Sequence, residues 1–197
     1  MELRATALWM SRIDPEIGAQ TEFAVVLERA VAGDISAFEQ IIVRHERRVL
    51  TLAWRLLGRP EDAQDASQEV FLRAFRFLRR FDVRRPFEPW LMKMTVNVCH
   101  DIGRKRLQHP NAVVDPDALR SASDPHADLH SEEQRRMLYS ALQELPEKER
   151  AAVVLRDIEG LSTAEVAEIL GSSEGTVRSQ ISTARLKIKR VLKPRKR

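Results

Sequence analysis

The sequence has very little cysteine, glycine or proline: one, seven and nine residues, respectively, among 197. The single cysteine, Cys99, excludes an internal disulfide, and no CxxC or HExxH spacing accompanies it that would indicate a redox or metal site. We therefore expect a buried structural thiol and no metal or other cofactor. With 43% hydrophobic and 31% charged residues, the composition favours a helix-rich globular protein over a disordered one.

The N-terminal stretch also lacks a long uncharged apolar run. In residues 1–20, charged side chains at Glu2, Arg4, Arg12 and Asp14 interrupt the few apolar positions, which is typical of neither a signal peptide nor a membrane span. We expect a flexible N-terminal extension, no membrane insertion and a cytoplasmic location.

Positive charge is abundant, and it is concentrated in two segments. Residues 175–197 contain nine basic and no acidic side chains, and residues 70–106 contain ten basic against three acidic ones. Between them, residues 108–130 carry one arginine and four aspartates. Because basic side chains beside phosphates release condensed counterions, two basic segments around an acidic connector indicate two contacts with one polyanion.

The spacing of apolar residues predicts an all-α fold of two small helical domains joined by a flexible linker. The first domain, of four helices, is predicted at residues 21–107. The linker at 108–130 contains three prolines and four aspartates, and the second domain is predicted at 131–197.

The first two helices are marked by their ends and by an apolar face. Helix one is predicted at residues 21–31, before Gly33. Helix two is predicted to begin at Ser36, because Glu39 lies three residues later as in a capping box, and to end at Gly58. Its predicted inward side comprises Phe38, Ile41, Ile42, His45, Val49, Leu52, Ala53 and Leu56.

The third and fourth helices flank a predicted loop at residues 82–89. The third is predicted to start after Pro60 and to end near Phe81, and the fourth to start near Trp90 and to end near Arg106. The inward residues are predicted to be Ala63, Ala66, Val70, Phe71, Ala74 and Leu78 in the third, and Trp90, Leu91, Met94, Val98 and Ile102 in the fourth.

The second domain contains the pattern of a helix-turn-helix. Ser162 and Glu165 have capping-box spacing, Gly171 suits a left-handed helix end, and a basic helix is predicted from about Ser173. Such a second helix can lie in the major groove of DNA. The alternative is a surface helical hairpin with solvated lysines. Two earlier helices are predicted to bury Met137, Leu138, Ala141, Leu142 and Leu145, and Val153, Val154, Leu155 and Ile158.

An acidic cluster occupies one face of the third helix. Asp62, Asp65 and Glu69 have i, i+3, i+7 spacing, which places the three carboxylates side by side. The ordinary interpretation is that they complement the helix dipole. A two-metal nuclease site is a weaker alternative, because no histidine or further carboxylate is paired with them locally.

Aromatic and basic residues alternate between residues 71 and 90, a pattern that can track an unpaired nucleic acid strand. Core packing is expected to use some of the rings, Phe71 and Trp90 first. The loop arginines and Asn97 are better candidates for contact. The full set is Phe71, Phe75, Phe77, Phe81, Phe87 and Trp90 with Arg73, Arg76, Arg79, Arg80, Arg84 and Arg85.

Three stretches together resemble the extracytoplasmic-function (ECF) sigma factors. They are DAQDASQEVFLRAF from Asp62, PWLMKMTVNVCHDIGRKR from Pro89 and LPEKERAAVVLRDIEGLSTAEVAEILGSSEGTVRS from Leu145. The resemblance covers nearly all of residues 21–192. It implies a factor without a catalytic residue that binds core RNA polymerase and promoter DNA, with a separate anti-sigma factor as an expected partner.

The resemblance also implies roles for individual residues. A polymerase-binding face would consist of Asp62, Asp65, Gln68 and Glu69. Contacts with the minus-ten element, including a flipped base, would come from Arg73, Phe81, Arg84, Arg85, Lys93 and Asn97. Contacts with the minus-thirty-five element would come from Arg156, Thr163, Thr176, Arg178, Ser179, Gln180, Thr183 and Arg185. Gln180 and Thr183 depart from the family pattern, since many relatives carry arginine there.

Two other classes stay open at this point. One is a helix-turn-helix repressor whose first domain binds a ligand or forms a dimer. The other is a carboxylate-metal nuclease built on Asp62, Asp65 and Glu69.

Overall fold

The structure, a computed structural model, describes residues 15–108 and 129–192. The predicted linker at 108–130 and the predicted extension at 1–20 lie largely outside these residues. Every regular element within the described ranges is helical, which confirms the prediction of an all-α fold.

Eight α-helices follow one another along the described chain: α1 (Pro15–Val31), α2 (Ile35–Leu57), α3 (Pro60–Leu78), α4 (Phe87–Gln108), α5 (Leu129–Gln143), α6 (Glu147–Val153), α7 (Thr163–Leu170) and α8 (Glu174–Leu192). A π-helical turn, Val154–Ile158, continues directly from α6. Turns of this kind are rare and are frequent at functional sites.

The contacts divide the chain into two compact units whose boundary passes through α2 and α3. One unit contains the described residues up to Arg47 together with Phe71–Phe87. The other contains Arg48–Val70 and the described residues from Glu88 onward. The domain boundaries predicted from the sequence therefore stay predictions.

The apolar stripes predicted for α2 and α3 are buried except for the half-buried Ile42, whereas in α4 Leu91 and Val98 are buried and Trp90, Met94 and Ile102 are half-buried. In α2, Ile41, Leu52 and Ala53 are almost inaccessible to solvent. Burial of Cys99 in α4 raises the pKa of its thiol to about 12, as expected for a structural thiol. The six inward positions predicted for α3 are all buried: Ala63, Ala66, Val70, Phe71, Ala74 and Leu78.

The predicted capping box at the start of α2 is wrong by two residues. Asp34, and not Ser36, precedes the helix, and its Oδ1 accepts a hydrogen bond from the backbone N–H of Ala37 at 3.2 Å. The Ser36 hydroxyl donates to the same oxygen at 2.7 Å. Hydrogen bonds from Ser36 and Arg29 lower the pKa of Asp34 to about 2. An aspartate is an equally good cap, so the spacing alone did not separate the two candidates.

Two other local predictions are also wrong. Pro89 belongs to the first turn of α4 and not to the preceding loop; a proline is tolerated there because its missing N–H has no partner within the helix. Met137 in α5 is 48% exposed. Leu138, Ala141 and Leu142 already supply the inward face of that helix, which leaves Met137 at its edge.

Candidate functional sites

The helix-turn-helix predicted in the second half is present. The Ser162 hydroxyl accepts the backbone N–H of Glu165 at 3.2 Å, and the Glu165 carboxylate accepts the N–H of Ser162 at 2.8 Å, which completes the predicted capping box. Both hydrogen bonds lower the pKa of Glu165. Gly171 ends α7 in the left-handed region, with φ 58° and ψ 41°. Ser173 then caps α8 by accepting the N–H of Thr176.

The helix α8 has one buried face, and its other faces remain accessible. Val177, Ile181 and Ala184 are buried, and their spacing places them on one side of the helix. The helices α5, α6 and α7 all pack against α8. This packing supports α8 from one side and leaves its remaining surface available for a ligand.

The structure does not bring all the predicted residues of α8 to one face. At 100° per residue, the six predicted residues of α8 span about 220° of the helix circumference, with Arg185 at one edge of this arc and Gln180 at the other. Thr176 and Ser179 are exposed, whereas Thr183 and Gln180 are half-buried. The Oε1 atom of Gln180 is itself buried. Thr163 and Arg156, which precede α8 in the chain, are also half-buried.

Acidic side chains pair with three cations of α8, and sequence reasoning assigned no role to these acids. Arg178 donates to Glu174 one turn earlier at 2.5 Å, a spacing that the helical period could have indicated. Arg185 donates to both oxygens of Asp157, at 2.8 and 2.6 Å, and this pairing raises the pKa of the guanidinium. Lys187 contacts both oxygens of Glu149 at 2.9 and 2.8 Å. The last two pairs join separate elements and have no local sequence signal.

The loop before α4 exposes its arginines. Arg84 and Arg85 are exposed, and Arg84 forms a forked pair with Asp82 at 2.8 and 2.9 Å. The hydrogen bonds from Arg84 lower the pKa of Asp82 to about 2. Phe81 is buried, with its ring centroid 5.6 Å from that of Phe87.

Two rings of the alternating aromatic and basic pattern are exposed in this unit. Phe75 and Phe77 at the end of α3 are 52% and 48% exposed. The side chain of Arg73 in the same helix is half-buried. A contact of Phe81 with DNA stays a prediction. Phe75 and Phe77 belong to the predicted aromatic and basic pattern, although the family resemblance assigns them no individual role.

The predicted residues of α4 lie in the second unit. Asn97 is exposed and Lys93 is half-buried. Both belong to the solvent-accessible side of a helix whose Leu91 and Val98 are buried.

The acidic cluster of α3 is accessible in part. Asp65 and Gln68 are exposed, and Asp62 and Glu69 are half-buried. Asp62 accepts a hydrogen bond from Arg106 at 3.2 Å. In the described ranges, no group of three histidine, cysteine or acidic side chains is arranged to hold a metal ion.

Within the second unit, the end of α2 contacts the C-terminal helices. The Glu159 carboxylate, with a side chain 6% exposed, pairs with Arg55 at 2.6 Å and with Arg48 at 3.2 Å. Arg150 donates to the backbone oxygen of Leu56 at 2.5 Å, where the end of α2 has carbonyls without helical partners. Sequence reasoning missed this polar contact, because its members are about 90 or more residues apart.

Comparison with known proteins decides the family. The chain matches the family models Sigma-70 region 2 over residues 41–108 and Sigma-70, region 4 over residues 135–188. It is 39% identical over 173 residues to the ECF RNA polymerase sigma factor SigM of Mycobacterium tuberculosis, covering 86% of this chain and 84% of that one. This chain is an ECF sigma factor of the sigma-70 family.

Two further relatives agree with this assignment. The ECF RNA polymerase sigma-E factor of Escherichia coli K12 is 33% identical over 180 residues, covering 86% of this chain and 94% of that one. The structure of CnrH in complex with the cytosolic domain of CnrY aligns with a TM-score of 0.63 at 32% identity, over 86% of this chain and 96% of CnrH.

One more solved structure shares the fold. The sigma factor RpoE, crystallised with the anti-sigma factor NepR from Bartonella quintana, aligns with a TM-score of 0.67 at 21% identity, covering 81% of this chain and 98% of that one. No described helix of the present ECF factor is long and apolar enough to cross a membrane.

Proposed function

We propose that this ECF factor binds core RNA polymerase and directs it to promoters, where it opens the minus-ten element and reads the minus-thirty-five element. The observation that carries the proposal is the occurrence of both sigma-70 regions in order on one chain. Such a factor acts in the cytoplasm and contributes binding energy, not a catalytic side chain of its own.

The upstream element would be read by α8. Its packed side is fixed by α5, α6 and α7, so the exposed Thr176, Arg178 and Ser179 near its N-terminus can enter a major groove as a rigid group. Arginine can donate two hydrogen bonds to the O6 and N7 atoms of guanine, while small hydroxyl side chains permit a close approach.

The minus-ten element would be held by the residues predicted for it. Arg84 and Arg85 are exposed cations in the loop before α4, and Asn97 offers an exposed amide on α4 itself. Unpaired strands bind through phosphate contacts and through stacking on aromatic rings. A base turned out of the stack further requires a pocket with polar partners, for which Arg73, Lys93 and Phe81 are the other candidates.

The polymerase would dock on the acidic face of α3. Asp65 and Gln68 are the accessible members of the predicted set, with Asp62 and Glu69 at its half-buried margin. A carboxylate face suits a basic surface of the partner, because complementary charges steer association. Solved relatives bound to CnrY and to the anti-sigma factor NepR support an anti-sigma factor as another partner.

The decisive experiment combines the purified protein with core polymerase and measures both binding and promoter-specific transcripts. Asp65→Arg should abolish or strongly reduce core binding while its circular dichroism spectrum remains that of the wild type. Glu28→Arg is a matched control, because it reverses an exposed charge on α1, outside the family-matched ranges. Wild-type protein that neither binds core enzyme nor starts specific transcripts would favour the helix-turn-helix repressor instead.

A further inference from the structure

The pair between Asp157 and Arg185 joins two elements that are distant in the sequence. Asp157 lies in the π-helical turn after α6, and Arg185 lies in the fourth turn of α8. The guanidinium Nε donates to Oδ2 at 2.8 Å and Nη2 donates to Oδ1 at 2.6 Å. A fork of two parallel hydrogen bonds fixes the orientation of the guanidinium plane as well as its position.

Asp157 belongs to a turn that is fixed by buried neighbours. Val154 and Leu155, at the start of the π-helical turn, are fully buried, and this turn contacts both α6 and α7. The carboxylate is therefore held relative to the helix-turn-helix by packing, and the arginine side chain takes its direction from a fixed group.

The held arginine can still bind another group. Its side chain is 60% exposed. A guanidinium has five N–H donors, of which the fork uses one on Nε and one on Nη2. The two N–H groups of Nη1 and the second of Nη2 point away from the fork, and these groups can still donate to the O6 and N7 atoms of guanine.

We propose that Asp157 is a positioning residue that orients Arg185 for base recognition at the upstream promoter element. This inference rests on the proposed function. An exposed ion pair adds little to stability, but ordering a flexible side chain in advance lowers the entropic cost of using it in a complex. The carboxylate also offsets the arginine charge, so the pair favours specific bases over any phosphate.

The chain contains a matched control in the pair between Glu149 and Lys187. It also joins α6 to α8 through two contacts of 2.8 and 2.9 Å. Lys187 follows Arg185 by two residues, so the two side chains leave α8 about 160° apart. An ammonium group is moreover a point charge without the planar fork.

The test compares binding of the holoenzyme to a promoter fragment that it selects from a random pool with binding to the same fragment carrying a scrambled upstream element. Arg185→Ala should reduce the ratio of the two affinities about ten-fold. Asp157→Asn should reduce the ratio about five-fold and strengthen binding to the scrambled fragment, with a log–log salt slope steeper by about one. Asp157→Glu should restore part of the ratio, and Glu149→Gln should leave it unchanged.

The double variant Asp157→Asn/Arg185→Ala separates positioning from an independent contact. If Asp157 acts through Arg185, the double variant should discriminate no worse than Arg185→Ala alone. An unchanged ratio in Asp157→Asn, with a ten-fold loss in Arg185→Ala, would overturn the inference and leave the proposed function intact. An unchanged ratio in both would also overturn it, whereas a wild-type protein that selects no promoter would refute the proposed function itself. Thermal unfolding of each variant confirms that the fold is retained.

Discussion

Each family-matched part of the chain has an arginine held by an aspartate, but the two pairs are built differently. Asp82 and Arg84 are two residues apart in an exposed loop, and both members of the pair belong to that loop. Asp157 and Arg185 are 28 residues apart and meet only because α8 packs on the preceding helices. The first pair stabilises a loop locally. The second pair can form only while α8 remains packed on α5, α6 and α7.

This difference fits the two kinds of nucleic acid that we propose the two parts bind. A short loop with a local pair can adapt to an unpaired strand, whose backbone has no fixed geometry. A major groove has a regular width and depth, so a side chain that reads it gains from being held in advance. We expect the two parts to respond differently to loss of packing, of a base contact, of a helix cap and of charge.

Loss of packing should produce the largest difference. Leu155 in the π-helical turn is fully buried, and Leu155→Ala should lower the free energy of unfolding by about 2 to 5 kcal/mol. Amide hydrogen exchange should show the loss of protection in α5–α8, while the loop containing Asp82 and Arg84 is unaffected. Leu186→Ala is the matched control on the exposed surface of α8 and should change stability by less than about 0.5 kcal/mol. Equal losses of unfolding free energy in the two variants would contradict the view that buried packing holds α8 in place.

Loss of a base contact should come next. If Arg178 makes a bidentate contact with a base, Arg178→Ala should weaken holoenzyme binding to the upstream element by about 1 to 3 kcal/mol. Arg190→Ala removes an equal charge from the exposed side of α8 and should weaken binding to the specific and scrambled fragments alike. An unchanged promoter preference in Arg178→Ala would remove this residue from the reading set.

Loss of a helix cap should have a smaller effect. Ser162→Ala removes the acceptor for the Glu165 N–H and should cost about 1 kcal/mol in urea unfolding. Ser182→Ala, an exposed serine within α8, serves as the control and should cost less than half as much. A larger loss in the control would show that Ser162 is dispensable as a cap.

Much of the fold could be predicted because its signals are local. The stripe that includes Ile41 and Leu52 repeats at the helical period, and both residues are buried. The capping box at Ser162 is encoded by four consecutive residues, and the left-handed helix end is encoded by Gly171 alone. Where two local signals competed, as Asp34 and Ser36 did at the start of α2, the spacing did not decide between them.

The sites could be predicted only as sets of residue types. Exposure of Asp65 and Arg178 follows from charge and helical position, and exposure of Arg84 follows from its place in a charged loop. The acidic partners of Arg185, Arg48 and Arg55 could not be predicted in this way, because Asp157 and Glu159 reach these arginines through tertiary packing across 28 and more than 100 residues. The burial of Phe81 and the exposure of Phe75 likewise depend on how neighbouring helices pack, which the alternation of aromatic and basic residues does not encode.

Titration of Asp82 should give the smallest change in stability and the sharpest contrast between local and tertiary pairing. The pKa of Asp82 is about 2, lowered first by hydrogen bonds from Arg84, against 3.8 for an ordinary aspartate. A lowered pKa means that the pair contributes above pH 4 and loses its contribution as the pH falls through about 2. Carboxyl carbon shifts should therefore titrate near pH 2 in the wild type and nearer pH 4 in Arg84→Gln.

The same titration in Leu155→Ala then tests whether the loop pair is local. If Asp82 and Arg84 need only their own loop, the midpoint of the Asp82 titration should stay near pH 2 although the packing around α8 is weakened. A midpoint that rises toward 4 in this variant would show that the loop depends on the C-terminal helices, and the two pairs would then differ only in sequence separation.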